Sequence, residues 1–326
     1  MANIYYSNAR ARSQELKLLG IERINRMIEA ETPDGVLKIL SEVNFGEGLI
    51  IDSALDFEKL ISAEMGSLSA FIRECSPTEA FKKFTLLKND FHNAEAIVRN
   101  KYLKIDETEL LTENGLIDVD ELKDKILVDD YSSFPKELAT ALMKADELFV
   151  SNKATGALLD DIFIKGLYSA LLSATKGHAF LRKMVVFKID ALNLGIAFRL
   201  KNYNKAKEFF IDGGKLSKEE LSDICELSLD EIKHKFSFNI YSNLINSAIF
   251  DKENNESLSA FEKAVDDYPM QLLLKEKYTT SKDLPFIQYC YYKLADVSNF
   301  RLIIVGAINK VNKEEIRKRL RIGYEG

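Results

Sequence analysis

"KIDALNLGIAFR" (188–199) repeats "KNDFHNAEAIVR" (88–99) one hundred residues further along the chain: Lys, Asp, Asn and Arg coincide, with an apolar run between the Asn and the Arg. A weaker third copy, "KLADVSNFRLIIV" (293–305), keeps Asp296 and Asn299 at the same spacing and draws Arg301 closer. Self-similarity over long intervals marks a chain assembled from copies of one unit. The copies also pose a physical question. Asp90 and Asn93 stand in the middle of an amphipathic helical pattern, where neither residue type is favoured.

On a helix, residues at i, i+3 and i+7 share a face. Leu86, Leu87, Asp90, Asn93, Ala94 and Ile97 therefore form one stripe, an apolar seam broken by a polar pair, with Arg99 on the opposite side. Val186, Phe187, Asp190, Asn193, Leu194 and Ala197 repeat it ahead of Arg199, and Tyr292, Asp296, Asn299, Phe300 and Ile303 repeat it again. A buried carboxylate without donors is costly. Each pair is therefore expected to meet free N–H groups at another helix's start, or a nearby Arg or Lys. The competing reading is a ring of polar contacts for a partner on a pseudo-threefold axis. Triplication favours the structural role, because packing devices are copied with a domain and catalytic groups seldom are.

A second signature accompanies the first. "GLIDVDELKD" (115–124), "GKLSKEELSD" (214–223) and "VNKEEIRKRL" (311–320) place Asp118, Ser217 and Asn312 three residues before Glu121, Glu220 and Glu315. This is the spacing of an N-cap and its acidic N3 partner, so three helices are expected to start there. Thr32 followed by Pro33 reads as a further start. The chain reads as a capped helix, intervening helices and an Asp-x-x-Asn helix, three times over, with a spare capped helix at the end. The repeats are placed at 1–106, 107–205 and 206–326.

Composition agrees with an all-α fold. The 326 residues include only 15 Gly and 5 Pro, few turn-formers for a sheet-rich chain, while apolar residues recur at three- and four-residue spacing. A net charge of −6 argues against a protein whose main task is to grip nucleic acid. The cysteines Cys75, Cys225 and Cys290 lack zinc or disulfide spacing, and His92, His178 and His234 are scattered, so no metal or cofactor is expected. No phosphate loop, H-E-x-x-H or G-x-S-x-G motif occurs, and none of the Asp-Asp pairs carries the later acid of an isoprenoid-enzyme metal motif. No catalytic residue is expected. The start lacks the apolar core of a secretory signal, and no stretch reaches the length of a membrane span. Residues 106–130 are strongly acidic and 310–321 strongly basic, which reads as solvated surface or as docking surfaces for oppositely charged partners.

With the repeats in view, the chain resembles the C-subunit family of V-type and archaeal-type ATPases, the counterpart of the eukaryotic d-subunit. The resemblance is carried by "YSNARAR" (6–12), "LKNDFHNAEAIVRNKY" (87–102), "DALNLGIAFRLK" (190–201) and "PFIQYCYYKLADVSNFRLIIVGAINKVNKEEIRKRLR" (285–321), in that order over nearly the whole chain. It implies three similar all-helical domains around a pseudo-threefold axis, shaped as a funnel and without catalytic activity. It further implies a rotor adaptor on the cytoplasmic side of the membrane, seated on the proteolipid ring and receiving the central shaft, made of the D and F subunits. A free-standing helical scaffold for cytosolic proteins and an all-α enzyme with a cryptic site are the alternatives.

Overall fold

The computed structural model describes residues 3–104, 108–254, 257–275 and 282–325, and these form α-helices, loops and short 3-10 turns, with no strand among them. In chain order the helices begin with α1 (Ile4–Gln14), α2 (Gly20–Glu29), α3 (Pro33–Ser41), α4 (Phe57–Cys75) and α5 (Glu79–Leu103). Next come α6 (Val119–Leu127), α7 (Lys136–Val150), α8 (Gly156–Ala174), α9 (Ala179–Leu200), α10 (Tyr203–Ala206), α11 (Lys218–Glu226) and α12 (Leu229–Lys235). The last four are α13 (Ser242–Glu253), α14 (Ser259–Lys275), α15 (Leu284–Ile308) and α16 (Lys313–Arg319). The expected all-α class is what the chain adopts. The repeat boundary expected at 106/107, with Asp106 and Glu107 of the acidic stretch, lies outside the described residues.

The expected N-caps differ in detail. Thr32 accepts from the Gly35 N–H with Pro33 at the helix start, and Ser217 and Glu220 form a complete capping box. Asp118 caps α6 by accepting from the Glu121 N–H, but the Glu121 carboxylate turns to Lys125 at 2.6 Å instead of reaching back. The Asn312 side chain accepts from the Glu314 N–H and not from that of Glu315, which goes to the Asn312 carbonyl at 3.0 Å, while the Glu315 carboxylate pairs with Lys318 at 2.8 Å. A lysine one turn on takes the N3 glutamate in both helices.

The chain divides into two compact units, Glu79–Lys235 and the combined segments Met1–Thr78 and Phe236–Gly326. In the first, α8 packs on α5 and α7. Gly166 permits this approach, since a Cβ there would come within 2.9 Å of the Phe91 ring and 3.1 Å of the Ala141 methyl. Arg99 of α5 also reaches Asp160 of α8 at 2.5 Å, and Tyr102 stacks on Phe149 of α7 at 4.2 Å between centroids.

In the second unit α15 is the central helix: sixteen of its 25 residues are buried, as suits a helix surrounded by others. It packs against α1, α2, α3, α4, α14 and α16. Phe300 lies one turn past its middle, 5.3 Å from the Phe45 ring and 6.5 Å from that of Phe57. At its end α16 folds back over Gly306, where a Cβ would stand 2.5 Å from Ile316 Cδ1.

Candidate functional site

Each of the repeated polar pairs ties a helix to a loop. Asn93, fully buried on α5, donates from Nδ2 to the Thr112 carbonyl at 2.8 Å and accepts the Thr112 N–H at 2.9 Å. One turn earlier Asp90 Oδ1 accepts the N–H groups of Leu116 at 2.7 Å and Ile117 at 3.0 Å. The next residue, Asp118, caps α6. The carboxylate thus holds the entry to that helix.

The second copy repeats these four bonds and adds one, from the Lys215 N–H to Asp190 Oδ2 at 2.9 Å. Asn193 on α9 exchanges hydrogen bonds of 2.9 and 2.8 Å with Ile211, and Asp190 Oδ1 accepts from Lys215 at 2.9 Å and Leu216 at 3.0 Å, just before the cap Ser217. In both loops the backbone passes so close that only glycine fits. A Cβ on Gly115 would lie 2.2 Å from Asp90 Oδ1, and one on Gly214 would lie 2.1 Å from Asp190 Oδ1. Each glycine opens its quoted signature, three residues before the cap Asp118 or Ser217, but the spacing alone does not say that a carboxylate lies against it.

The third copy draws its loop from both ends of the chain. Asn299 exchanges bonds of 3.0 and 2.7 Å with Arg321 in the C-terminal tail, while Asp296 Oδ2 accepts the Leu19 N–H at 2.9 Å, at the start of α2. Leu19 occupies the N-cap position of α2 and has no side chain able to cap it. In all three copies the tie runs to a loop entering a helix, and in the third it also passes beyond α16 into the tail.

Asp296 sits in an electrostatic setting of its own. Its Oδ1 is buried without a hydrogen-bond partner. Burial pushes its carboxyl up to about 7, opposed by the Leu19 N–H and the Lys293 charge and reinforced by Glu64. Lys293 and Glu64 form a buried ion pair nearby, each side chain 7% exposed. Glu64 Oε2 also accepts the Gly46 N–H at 2.7 Å, and the Lys293 ammonium donates to the Lys17 carbonyl at 3.2 Å. Gly46 has a φ of +66° and a Cβ there would come within 3.0 Å of the Leu60 carbonyl, so glycine is required on both counts. Residues 229 positions apart cannot be paired by inspection of one sequence.

The arginines of the signature stand apart from the loop ties. Arg99 pairs with Glu95 at 2.7 Å and with Asp160, Arg301 pairs with Glu58 at 2.7 Å, and Arg199 lies exposed in the last turn of α9. Much of the basic C-terminal segment pairs within the chain: Lys313 and Arg317 with Glu29 at 2.8 and 2.6 Å, and Arg321 with Asp266 at 2.8 Å. Among the described residues no group of three His, Cys, Asp or Glu side chains is placed to hold a metal, and no helix is long and apolar enough to cross a membrane. The polar cluster is built to fix loops against helices.

The family model described as the ATP synthase (C/AC39) subunit matches residues 7–319. The chain is similar to the C-subunit of the A-type ATP synthase of Methanocaldococcus jannaschii, 26% identical over 98% of this chain and 86% of that one. It is similar to the C-subunit of the V-type sodium ATPase of Enterococcus hirae, 20% identical over 98% of both chains. The C-subunit of the V-type ATP synthase of Thermus thermophilus is 25% identical over 64% of this chain and 67% of its own.

Proposed function

The chain belongs to the ATP synthase (C/AC39) subunit family, and from that premise we propose that it is a non-catalytic rotor subunit of the central stalk. In this reading it is a socket that couples the shaft, made of the D and F subunits, to the membrane proteolipid ring on the cytoplasmic face. The observation that carries the reading is the loop tie made three times, by Asp90 and Asn93, by Asp190 and Asn193, and by Asp296 and Asn299. Three copies of one tie support a chain built from three similar helical domains.

A coupling that carries torque has to resist deformation, and stiffness in a helical protein comes from dense packing and from loops that cannot move independently of helices. The Asp and Asn side chains supply the second property. Each Asn engages both polar groups of one residue's backbone, and each Asp holds the start of a helix, so load on a loop passes into a long helix. Chemistry at a nucleotide would lie in other subunits of the complex.

The test is purification of the tagged chain from its own membranes in mild detergent. Ring and shaft proteins are expected to copurify with it. Recovery of the chain alone, or with unrelated cytosolic proteins, would exclude the reading and favour a free-standing scaffold.

A further inference from the structure

Between α1, α4 and α15 lies an open cavity of about 230 Å³. Phe71 and Tyr289 contribute to its wall, edge to face at 5.4 Å between centroids, and the Lys293–Glu64 pair lines it. That pair is electrostatically complete, since Glu64 also holds the Gly46 N–H and Lys293 the Lys17 carbonyl. Arg10, which lines the same cavity from α1, is in a different state. Among the described residues no carboxylate forms an ion pair with it and its Nε is buried with no acceptor, while the neighbouring Cys75, Tyr6 and, more weakly, Glu74 favour its charged form. A guanidinium donor left this way is costly until an acceptor arrives.

The surface around Arg10 has the composition of an interface. Of the eleven residues of α1, only Ser7 and Ala11 are buried. Tyr5 is 81% and Tyr6 49% exposed on α1, and Leu16, in the 3-10 turn that follows, is 87% exposed. Tyr6 and Arg10 are one turn apart on the same face, and tyrosine and arginine are, with tryptophan, enriched among the residues that anchor protein contacts. Once Lys293 and Glu64 cancel, Arg10 and Lys17 outnumber Glu74 among the lining charges. The volume is below the usual range for drug-sized ligands and suits one side chain better than a nucleotide.

We propose that α1 is a docking helix and that the cavity beside it receives the carboxylate of an Asp or Glu side chain from a protein partner in the assembly, with Arg10 as the group that reads it. The proposal rests on the central-stalk reading for the partner's identity and deepens it by naming where one contact is made. It also gives a role to "YSNARAR", a motif that the loop ties leave unused.

Membranes carrying the assembly but lacking this chain are titrated with the purified full-length protein and with the variants Arg10→Ala, Arg10→Glu and Ala70→Trp. Ala70 is an exposed lining position, so the tryptophan obstructs the cavity and leaves Arg10 in place. Wild type is expected to bind saturably, and the three variants at least tenfold more weakly with unchanged melting temperatures. Should an Arg10 variant fail to fold, Ala70→Trp decides. If wild type binds and the folded variants bind equally well, the cavity proposal is overturned and the central-stalk reading stands. If wild type does not bind, the central-stalk reading is overturned and takes the proposed partner with it.

Discussion

Asn93 and Asn193 make the same pair of hydrogen bonds in different surroundings, which separates the bond from its burial. Ile211 is 5% exposed, whereas Thr112 is half-buried and can recruit water. Asn193→Ala, which strands a buried N–H and C=O, is expected to cost about 2–4 kcal/mol, and Asn93→Ala about half of that, measured by urea denaturation. Gly115→Ala places a methyl where a fixed carboxylate oxygen stands and is expected to cost about 2–3 kcal/mol, more than Gly306→Ala, whose methyl meets the end of the Ile316 side chain and gains helix propensity. Asp296 adds a pH dependence. Its folded carboxyl holds a proton up to about pH 7 while the unfolded chain releases it near 3.8, so its contribution is full below the lower value and lost as pH climbs to the higher. Asp296→Asn cannot titrate. The stability difference, variant minus wild type, is therefore expected to rise between about pH 4 and 7, by up to about 1.4 kcal/mol per unit, and to level off above. A difference independent of pH would exclude this titration.

The helix starts show what one sequence specifies and what it leaves open. The spacing of a cap residue and a glutamate locates α6, α11 and α16, yet only α11 has the full box. The deciding residues lie one turn further along. Glu121 has Lys125 four residues on and Glu315 has Lys318 three residues on, whereas Glu220 is followed at those positions by Asp223 and Ile224 and turns back to the backbone. Competition between a lysine and an N–H for one carboxylate is readable once both are weighed. Glu220→Ala is accordingly expected to cost about 1 kcal/mol in thermal unfolding, and Glu121→Ala, which loses an exposed ion pair, less than half of that. The Asp-x-x-Asn stripes are likewise visible as polar breaks in apolar seams. Their acceptor loops are not, because a side-chain pattern records no backbone partner, and Leu19 is 277 residues from Asp296.

At the scale of the whole chain, the third tie explains why the first and last segments share a compact unit. Where the other copies take both partners from one continuous loop, Asn299 takes Arg321 and Asp296 takes Leu19, so the two ends of the chain together do the work of residues 112–117. The tail has other anchors: the Ile322 N–H donates to Asp267 at 2.8 Å, and Tyr324 packs against Tyr292 at 5.1 Å. Removal of residues 321–326 takes all of these at once and leaves the Asn299 amide buried with no peptide to engage. The loss is expected to reach about 3–5 kcal/mol, counting two side chain–backbone bonds and the desolvated group left behind. Hydrogen exchange locates it. Protection is expected to fall in α15, and in α2 if the tail helps to hold Leu19 against Asp296, while α5, α8 and α9 serve as the internal reference. Loss confined to α15 would mean that the N-terminal half of the tie stands alone. Loss in both would mean that the two chain ends fold as one loop, the arrangement needed if all three copies are to carry load equally.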